Sequence, residues 1–447
     1  MKLFFVTPAL YFAINIFLIE GFQPFIASKH GKIRNTFLSE SKQKDLSLDE
    51  RTTSIHSLLQ ISSSHFISQA LNTIVQLEIP NILGEEILAY EQILETIHNR
   101  NMEQKCNADA LLRCMRLLCT VDILQEQFRG VSQSAHIISQ QDADDGKEEN
   151  KYHSQIAFGL TSTGRLLQTS HHSSFASCVQ HWAEAPLWNS WLKLPDYVSG
   201  VSYQDDITTR KNIPTENKQQ IFDFPPFDRA NGESADEYYG NHPQSLEYAN
   251  HFVKLIHTLE LSAIVSEFNW NQYSDQTVVD IGGYNGKLME TIYKQYPKLH
   301  CKCLDLPQVI DSIPSSSLPD GVELVPGDAM DPSTIPKCDI ILMKHILDKS
   351  MWTYQESIQL LKSCSEALPS HGKVIIAEAV LPDVGEIKNT KHDQILLSMD
   401  AFFILVGRKG QRTHREWDDL ASLGGFQIDS IIVTSAPSCS ILVLSKK

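Results

Sequence analysis

Residues 277–286 read T-V-V-D-I-G-G-Y-N-G: a β-branched apolar run ends in an acid, breaks into glycines and passes into a helical pattern over residues 287–296. Such a run forms a short buried strand, and the glycines allow the chain to turn sharply from it into a helix. The helix N-terminus presents unpaired backbone N–H groups, and the missing side chains let a ligand approach the main chain. The stretch therefore sets a strand–turn–helix unit with room for a nucleotide-sized ligand. A tight connection with no ligand explains the glycines equally well, so the residues downstream carry the decision.

Downstream the alternation is regular. Residues 301–304 predict a strand ending at Asp305, 308–312 a short helix, and 322–325 a strand leading to Gly327 and Asp328. Residues 339–343 predict a strand, 353–367 a helix and 373–377 a strand ending at Glu378. A helix follows near 415–423, then strands at 427–433 and 440–444. Strands alternating with helices predict an α/β fold, a Rossmann-like doubly wound sheet, whose ligands sit at the carboxyl ends of the strands. Asp280, Asp305, Asp328 and Glu378 all fall at such ends. An acid about twenty-five residues past the glycine turn suits the two hydroxyls of a ribose, which is where Asp305 lies. Asp328 is placed to reach an adenine amino group. The turn lacks the G-x-G-x-x-G spacing that a pyrophosphate favours, which points to an adenosine ligand without phosphates and away from a nicotinamide-dependent oxidoreductase.

At 447 residues the chain has length for a second domain, and the N-terminal side supplies it. From Ser54 to about Gln127 the pattern is helical, with Ile67, Ala70, Leu71, Ile74, Val75 and Leu77 on one face and Leu111, Leu112, Met115, Leu117 and Leu118 on another. Residues 130–152 are polar and read as an exposed loop; residues 158–167 bring a strand into a helix capped by Thr161 or Ser162. Trp182, Trp188 and Trp191 suit either an aromatic pocket or helix packing. Residues 201–229 read as a long loop, and 248–261 as a helix with Tyr248, Phe252, Leu255, Ile256 and Leu259 on one face.

A formal net charge of −16 with no basic stripe argues against a nucleic-acid partner. Met1 and Lys2 precede a mostly apolar run over residues 3–19, the pattern of a secretory signal peptide, with an uncleaved anchor as the alternative. Residues 28–44 are rich in Lys, Arg and Ser, like a transit peptide. The two together resemble the bipartite plastid presequence of diatoms and related algae, with Phe22 in Gly-Phe-Gln-Pro opening the transit part. The nine cysteines are odd in number and lack disulfide or zinc-ligand spacing, which fits a reducing compartment and no metal. Plastid location is therefore expected over the secretory pathway or secretion, with no stable membrane association once the signal is removed.

From Ser54 to the C-terminus the sequence resembles the class I S-adenosylmethionine-dependent O-methyltransferases of the caffeic acid and acetylserotonin type. The resemblance rests on V-V-D-I-G-G-Y-N-G, L-D-L-P-Q-V-I, V-P-G-D-A-M, L-M-K-H-I-L, G-K-V-I-I-A-E-A-V-L-P, G-R-K-G-Q-R-T and G-G-F. It implies a homodimer with a mainly helical, winged-helix-like dimerisation domain over residues 51–170, after a signal peptide at 1–21 and a transit-like segment at 22–50. A connecting and substrate-pocket region would span 171–262 and the cofactor-binding domain 263–447. It also implies S-adenosylmethionine contacts at Asp280, Gly282, Gly283, Gly286, Asp305, Leu306, Asp328, Ala329 and Lys344. Tyr248, Phe252, Met399 and Phe403 match segments that line the pocket for a small hydroxylated aromatic acceptor.

The chain departs from that family at the proton-removing group. Aligning L-M-K-H-I-L-D-K places Asp348 where the family carries its catalytic histidine and His345 where tryptophan is usual; Glu378 matches one supporting glutamate, and Gln411 replaces the other. A phenol with pKa near ~10 needs a base poised near working pH, and an ordinary aspartate, pKa about 3.9, is a weak one. Three readings follow: a base formed by Asp348 with Glu378 nearby, catalysis by positioning of a more acidic hydroxyl, or a cofactor-binding homologue with lost or altered activity. His345, three residues before Asp348, is a candidate to share a helix face with it, or else a packed stand-in for tryptophan. Tyr284 stands where the family often has glycine and would either crowd the methionine end of the cofactor or point away.

Overall fold

The computed structural model describes residues 47–100, 106–128, 156–200, 224–436 and 438–447. The expected presequence up to residue 46, the polar loop at 130–152 and residues 201–223 of the loop predicted over 201–229 lie outside the described residues; the end of that predicted loop is helical instead, from Pro226 to Asn231. The remainder divides into two compact units on either side of Glu184 and Ala185.

In the first unit, helix α1 (Leu48–Ser62) starts from a capping box in which Ser47 and Glu50 satisfy each other's backbone N–H groups, yet it buries none of its residues. Helices α2 (Ser64–Gln76), α3 (Ile79–Leu83), α4 (Tyr90–Arg100) and α5 (Ala108–Cys119) enclose a core that includes Ile74, Tyr90, Ile93, Met115 and Leu118. Strands β1 (Leu88–Ala89), β2 (Leu124–Phe128) and β3 (Ile156–Leu160) form an antiparallel sheet with β3 in the centre, the wing beside the helices. The helical pattern expected to run to Gln127 stops earlier. Asp122 takes a left-handed φ of 57°, the chain reverses, and β2 pairs with β3. Only Leu124 of β2 is buried, so no alternation marks it as a strand. Thr161 supplies the expected cap, accepting from the Gly164 N–H at 3.0 Å, for helix α6 (Ser162–Arg165), and α7 (Ala176–Ala183) completes the unit.

The second unit begins with helices α8 (Ala185–Leu192), α9 (Leu194–Val198), α10 (Pro226–Asn231) and α11 (Ala235–Asn241), followed by the long α12 (Pro243–Glu267). Then come β4 (Thr277–Ile281), α13 (Lys287–Gln295), β5 (His300–Asp305), α14 (Pro307–Ile310), β6 (Val322–Pro326) and β7 (Ile340–Lys344). The chain closes with α15 (Tyr354–Ala367), β8 (Lys373–Glu378), α16 (Lys391–Leu405), α17 (His414–Leu423), β9 (Phe426–Val433) and β10 (Ser440–Lys446).

The sheet order is β6-β5-β4-β7-β8-β10-β9, parallel from β6 to β8, with β10 antiparallel to both its neighbours. Successive residues of one strand pack on opposite faces. Val279, Ile341, Met343 and Val374 face α15 and α17, whereas Val278, Ile340, Leu342 and Ile375 face α12 and α13. Burial on both faces is why these strands read as unbroken apolar runs. Helix α12 extends past the predicted 248–261 at both ends; Pro243 starts it, and Ala263, Ile264 and Val265 anchor its last turns on the sheet. All nine cysteines are free thiols. No helix among the described residues is long and apolar enough to cross a membrane.

Candidate active site

Strand order reverses between β4 and β7, which opens a crevice at their carboxyl ends. The glycine turn forms one wall. Gly282 has φ 71° and donates its N–H to the Leu304 carbonyl at 2.8 Å; a Cβ there would meet Ile346 Cδ1 at 2.5 Å. At Gly283 a Cβ would overlap the Asp280 carboxyl and sit 2.8 Å from Cys303 Sγ. Gly286, φ 69°, is the residue from which α13 starts. Tyr284 is also left-handed, φ 53°, a conformation that costs a non-glycine residue roughly 1–2 kcal/mol. The residue is 38% exposed.

Asp305 is tied to that turn. Its Oδ2 accepts from the Tyr284 N–H at 2.9 Å and its Oδ1 from the Leu306 N–H at 2.8 Å. Each oxygen has spent one lone pair and keeps another, the acceptor capacity that a vicinal diol needs. Asp280 is buried beneath; burial, reinforced by the charge of Asp305 and opposed by Lys344, pushes its carboxyl up to about 8. Asp328 accepts the Met330 N–H at 2.9 Å, and Ala329 packs partly buried against the core. This donor set fits an adenosine-type ligand. Among the described residues no group of three or more His, Cys, Asp or Glu side chains could hold a metal ion.

The opposite wall is the loop after β7, and there the structure departs from expectation. No helix joins His345 to Asp348: His345 has φ 52°, and its ring turns away between two glutamates. Nε2 lies 2.9 Å from Glu260 Oε1 on α12, and Nδ1 3.1 Å from Glu378 Oε2 on β8. Glu378 Oε1 accepts the Leu347 N–H at 3.1 Å, so both oxygens of the glutamate expected beside Asp348 have other partners. Lys344 extends along the same wall, 2.7 Å from Glu260 Oε2 and 3.1 Å from His257 Nδ1.

Charge sets the protonation of this cluster. Burial works against a charged His345, yet Glu260 and Glu378 outweigh it and push the ring up to about 9. Burial opposes ionisation of Glu260 too, but His345 and Lys344 hold it well below the usual carboxylate range. Burial and the Lys344 charge push His257 down to about 4.

Asp348 is itself buried. Its Oδ1 accepts the Ser350 N–H at 2.6 Å, and it feels the charges of Arg408 and Arg412. Arg412 is buried over the Trp417 ring, 5.0 Å from its centroid, and donates to the Leu347 carbonyl, which fixes the loop from behind. At position 411 it is the backbone that is engaged, the N–H donating to Asp400 Oδ1 at 2.5 Å and the carbonyl accepting from Lys349 Nζ at 3.1 Å. Tyr248 and Phe252 lie one turn apart on α12, and Met399 and Phe403 one turn apart on α16, all half-buried.

Sequence reasoning missed Glu260, Arg408 and Arg412. The available signal was a lone glutamate in the apolar end of a helix, L-E-L-S-A-I-V, and two cations in G-R-K-G-Q-R-T; buried charges demand partners.

Residues 211–427 match the family model of an O-methyltransferase domain. A flavone 3'-O-methyltransferase of Chrysosplenium americanum is 33% identical over 202 residues, 45% of this chain and 56% of that relative, so the match spans little more than half its length. A caffeic acid 3-O-methyltransferase of Populus kitakamiensis is 26% identical over 378 residues, 83% of this chain and 88% of the relative. Among solved structures, the calicheamicin-biosynthesis methyltransferase CalO1, in its SAH-bound form, superposes with a TM-score of 0.61 at 19% identity, covering 89% of this chain and 99% of that one, a likeness of fold. Residues 211–427 thus make up a domain similar to those of the O-methyltransferases, and the relatives it resembles include enzymes of the caffeic acid type.

Proposed function

We propose that the chain, as a homodimer, transfers a methyl group from S-adenosylmethionine to a hydroxyl of a small aromatic acceptor. The observation that carries this reading is Asp305, locked to the glycine turn by the Tyr284 N–H and held by the Leu306 N–H at the point where strand order reverses. Bound there, the cofactor supplies a methyl group on a positively charged sulfur, already activated for transfer. Asp305 would hold the ribose hydroxyls and Asp328 the adenine amino group. Gly282, Gly283 and Gly286 keep the turn free of side chains, with Asp280 beneath it and Leu306, Ala329 and Lys344 at its margins. Tyr248, Phe252, Met399 and Phe403 would supply apolar walls for the acceptor, and the similarity to flavone and caffeic acid O-methyltransferases supports a phenolic one.

What remains for the protein is orientation of the acceptor and disposal of its proton. Positioning of an acidic hydroxyl is favoured over a side-chain base, because the Asp348 carboxylate already accepts the Ser350 N–H and Glu378 is committed elsewhere. The homodimer is supported by α1, which leaves Leu48, Leu58, Leu59 and Ile61 exposed along one short helix.

Calorimetry with S-adenosylmethionine followed by a panel of phenols and labelled methyl donor tests the proposal. Methyl transfer to at least one phenol is expected. Binding without transfer to any of them would favour the second reading, a cofactor-binding homologue of altered activity, which Asp348 and Gln411 at the family's catalytic positions motivate.

A further inference from the structure

His345 holds a chemical constraint that the transfer reaction does not use. A neutral imidazole carries one N–H and one lone pair, so it can donate to one carboxylate only; a second carboxylate on its other nitrogen would set lone pair against lone pair. Here each ring nitrogen has a glutamate oxygen in hydrogen-bonding range, Glu260 at 2.9 Å and Glu378 at 3.1 Å. Glu260 also accepts from the Lys344 ammonium at 2.7 Å and the Ser438 hydroxyl at 2.6 Å, and Glu378 from the Leu347 N–H at 3.1 Å. Every neighbour donates to these carboxylates, which leaves the ring to supply two N–H groups.

The backbone enforces the arrangement. The left-handed φ of 52° at His345, with its N–H given to the Ala377 carbonyl at 3.1 Å, sends the ring toward α12 and β8 and away from Asp348. Such strain in a bulky residue persists only where the surroundings over-determine it. We propose that His345 is a positioning residue: a standing imidazolium that joins Glu260 of α12 to Glu378 of β8, and so withholds Glu378 from the side chain at position 348. Both oxygens of Glu378 then shape the loop from His345 to Asp348 instead of steadying a base at its end. Its bearing on methyl transfer rests on the proposed function, whereas the protonation of the ring does not.

The groups facing the ring are Glu260 and His257 from α12, Lys344 from β7, Glu378 from β8, and Ser438 and Cys439 from the turn before β10. Nitrogen NMR of the full chain labelled at histidine, with His345→Gln to assign the signal, reads the ring directly. At pH 7 both nitrogens of His345 are expected to carry protons, with proton affinity more than 100-fold above that of an ordinary histidine, and Glu260→Gln is expected to lower it at least tenfold. A wild-type ring with one bare nitrogen at pH 7 would overturn the proposal, and so would a midpoint that Glu260→Gln leaves in place. Failure of S-adenosylmethionine to bind would sink the proposed function and leave this result standing.

Discussion

Replacing His345 by glutamine removes the cation between two buried glutamates, and the cost can be worked from the structure. The ring is pushed from 6.5 to about 9, and its side chain is only 19% exposed. At roughly 1.4 kcal/mol per pKa unit, the charged ring contributes about 3 kcal/mol in full. Because the folded pKa is raised, that contribution is complete below pH 6.5 and disappears as pH rises through about 9. At pH 7 it stands at roughly 2–3 kcal/mol, and at pH 9.5 it is close to zero. The magnitude lies near the lower end of the roughly 3–5 kcal/mol typical of breaking a buried ion pair, as Glu260 keeps Lys344 and Ser438. Hydrogen exchange of peptides covering β7 and β8, corrected for intrinsic rates, isolates this region from the first unit. We expect exchange in His345→Gln to be roughly 50–100-fold faster than in wild type at pH 7, with the gap closing by pH 9.5. A gap of the same size at both pH values would refute the electrostatic reasoning and leave only lost packing.

Other perturbations have equally definite outcomes. Gly283→Ala places a methyl group against the Asp280 carboxyl and Cys303; overpacking of that kind costs about 1–3 kcal/mol and displaces the turn, so thermal unfolding should show destabilisation together with weaker cofactor binding in calorimetry. Asp348→Ala should slow transfer to an acidic phenol by less than about tenfold, whereas a loss of 10²-fold or more, the usual worth of general base catalysis, would make the carboxylate the base. Residues 1–45 fused to a fluorescent protein in a diatom should direct it to the plastid, and fluorescence confined to the medium or the secretory pathway would count against that targeting.

The middle of the sheet was legible because β4, β7 and β8 are buried on both faces, and acids stand at or near the ends of β4, β5 and β8. Val278 and Val279 pack on opposite sides, so the run before Asp280 is unbroken, and the same holds for the strand before Glu378. The glycine turn and the acids beside it were legible for a related reason: glycines and acids at fixed spacing have few other uses. Strand β2 was not, since it buries Leu124 alone and carries no period. The His345 cluster was not legible either. Glu260 and His345 lie far apart in sequence and meet only once α12 packs beside β7, and the left-handed turn that aims the ring leaves no mark in composition. Spacing placed His345 near Asp348, and tertiary packing assigned it different partners.

Titration calorimetry of S-adenosylmethionine into the full chain, before and after Asp305→Ala, bears most directly on the account. Hydrogen bonds to a charged acceptor contribute about 1.5–3 kcal/mol each, so losing even one of the two expected from the ribose should weaken binding roughly tenfold to a hundredfold, and losing both should weaken it further. The account predicts one site per chain in the wild type and such a loss in the variant. No binding by the wild type, or unchanged affinity in Asp305→Ala, would contradict it.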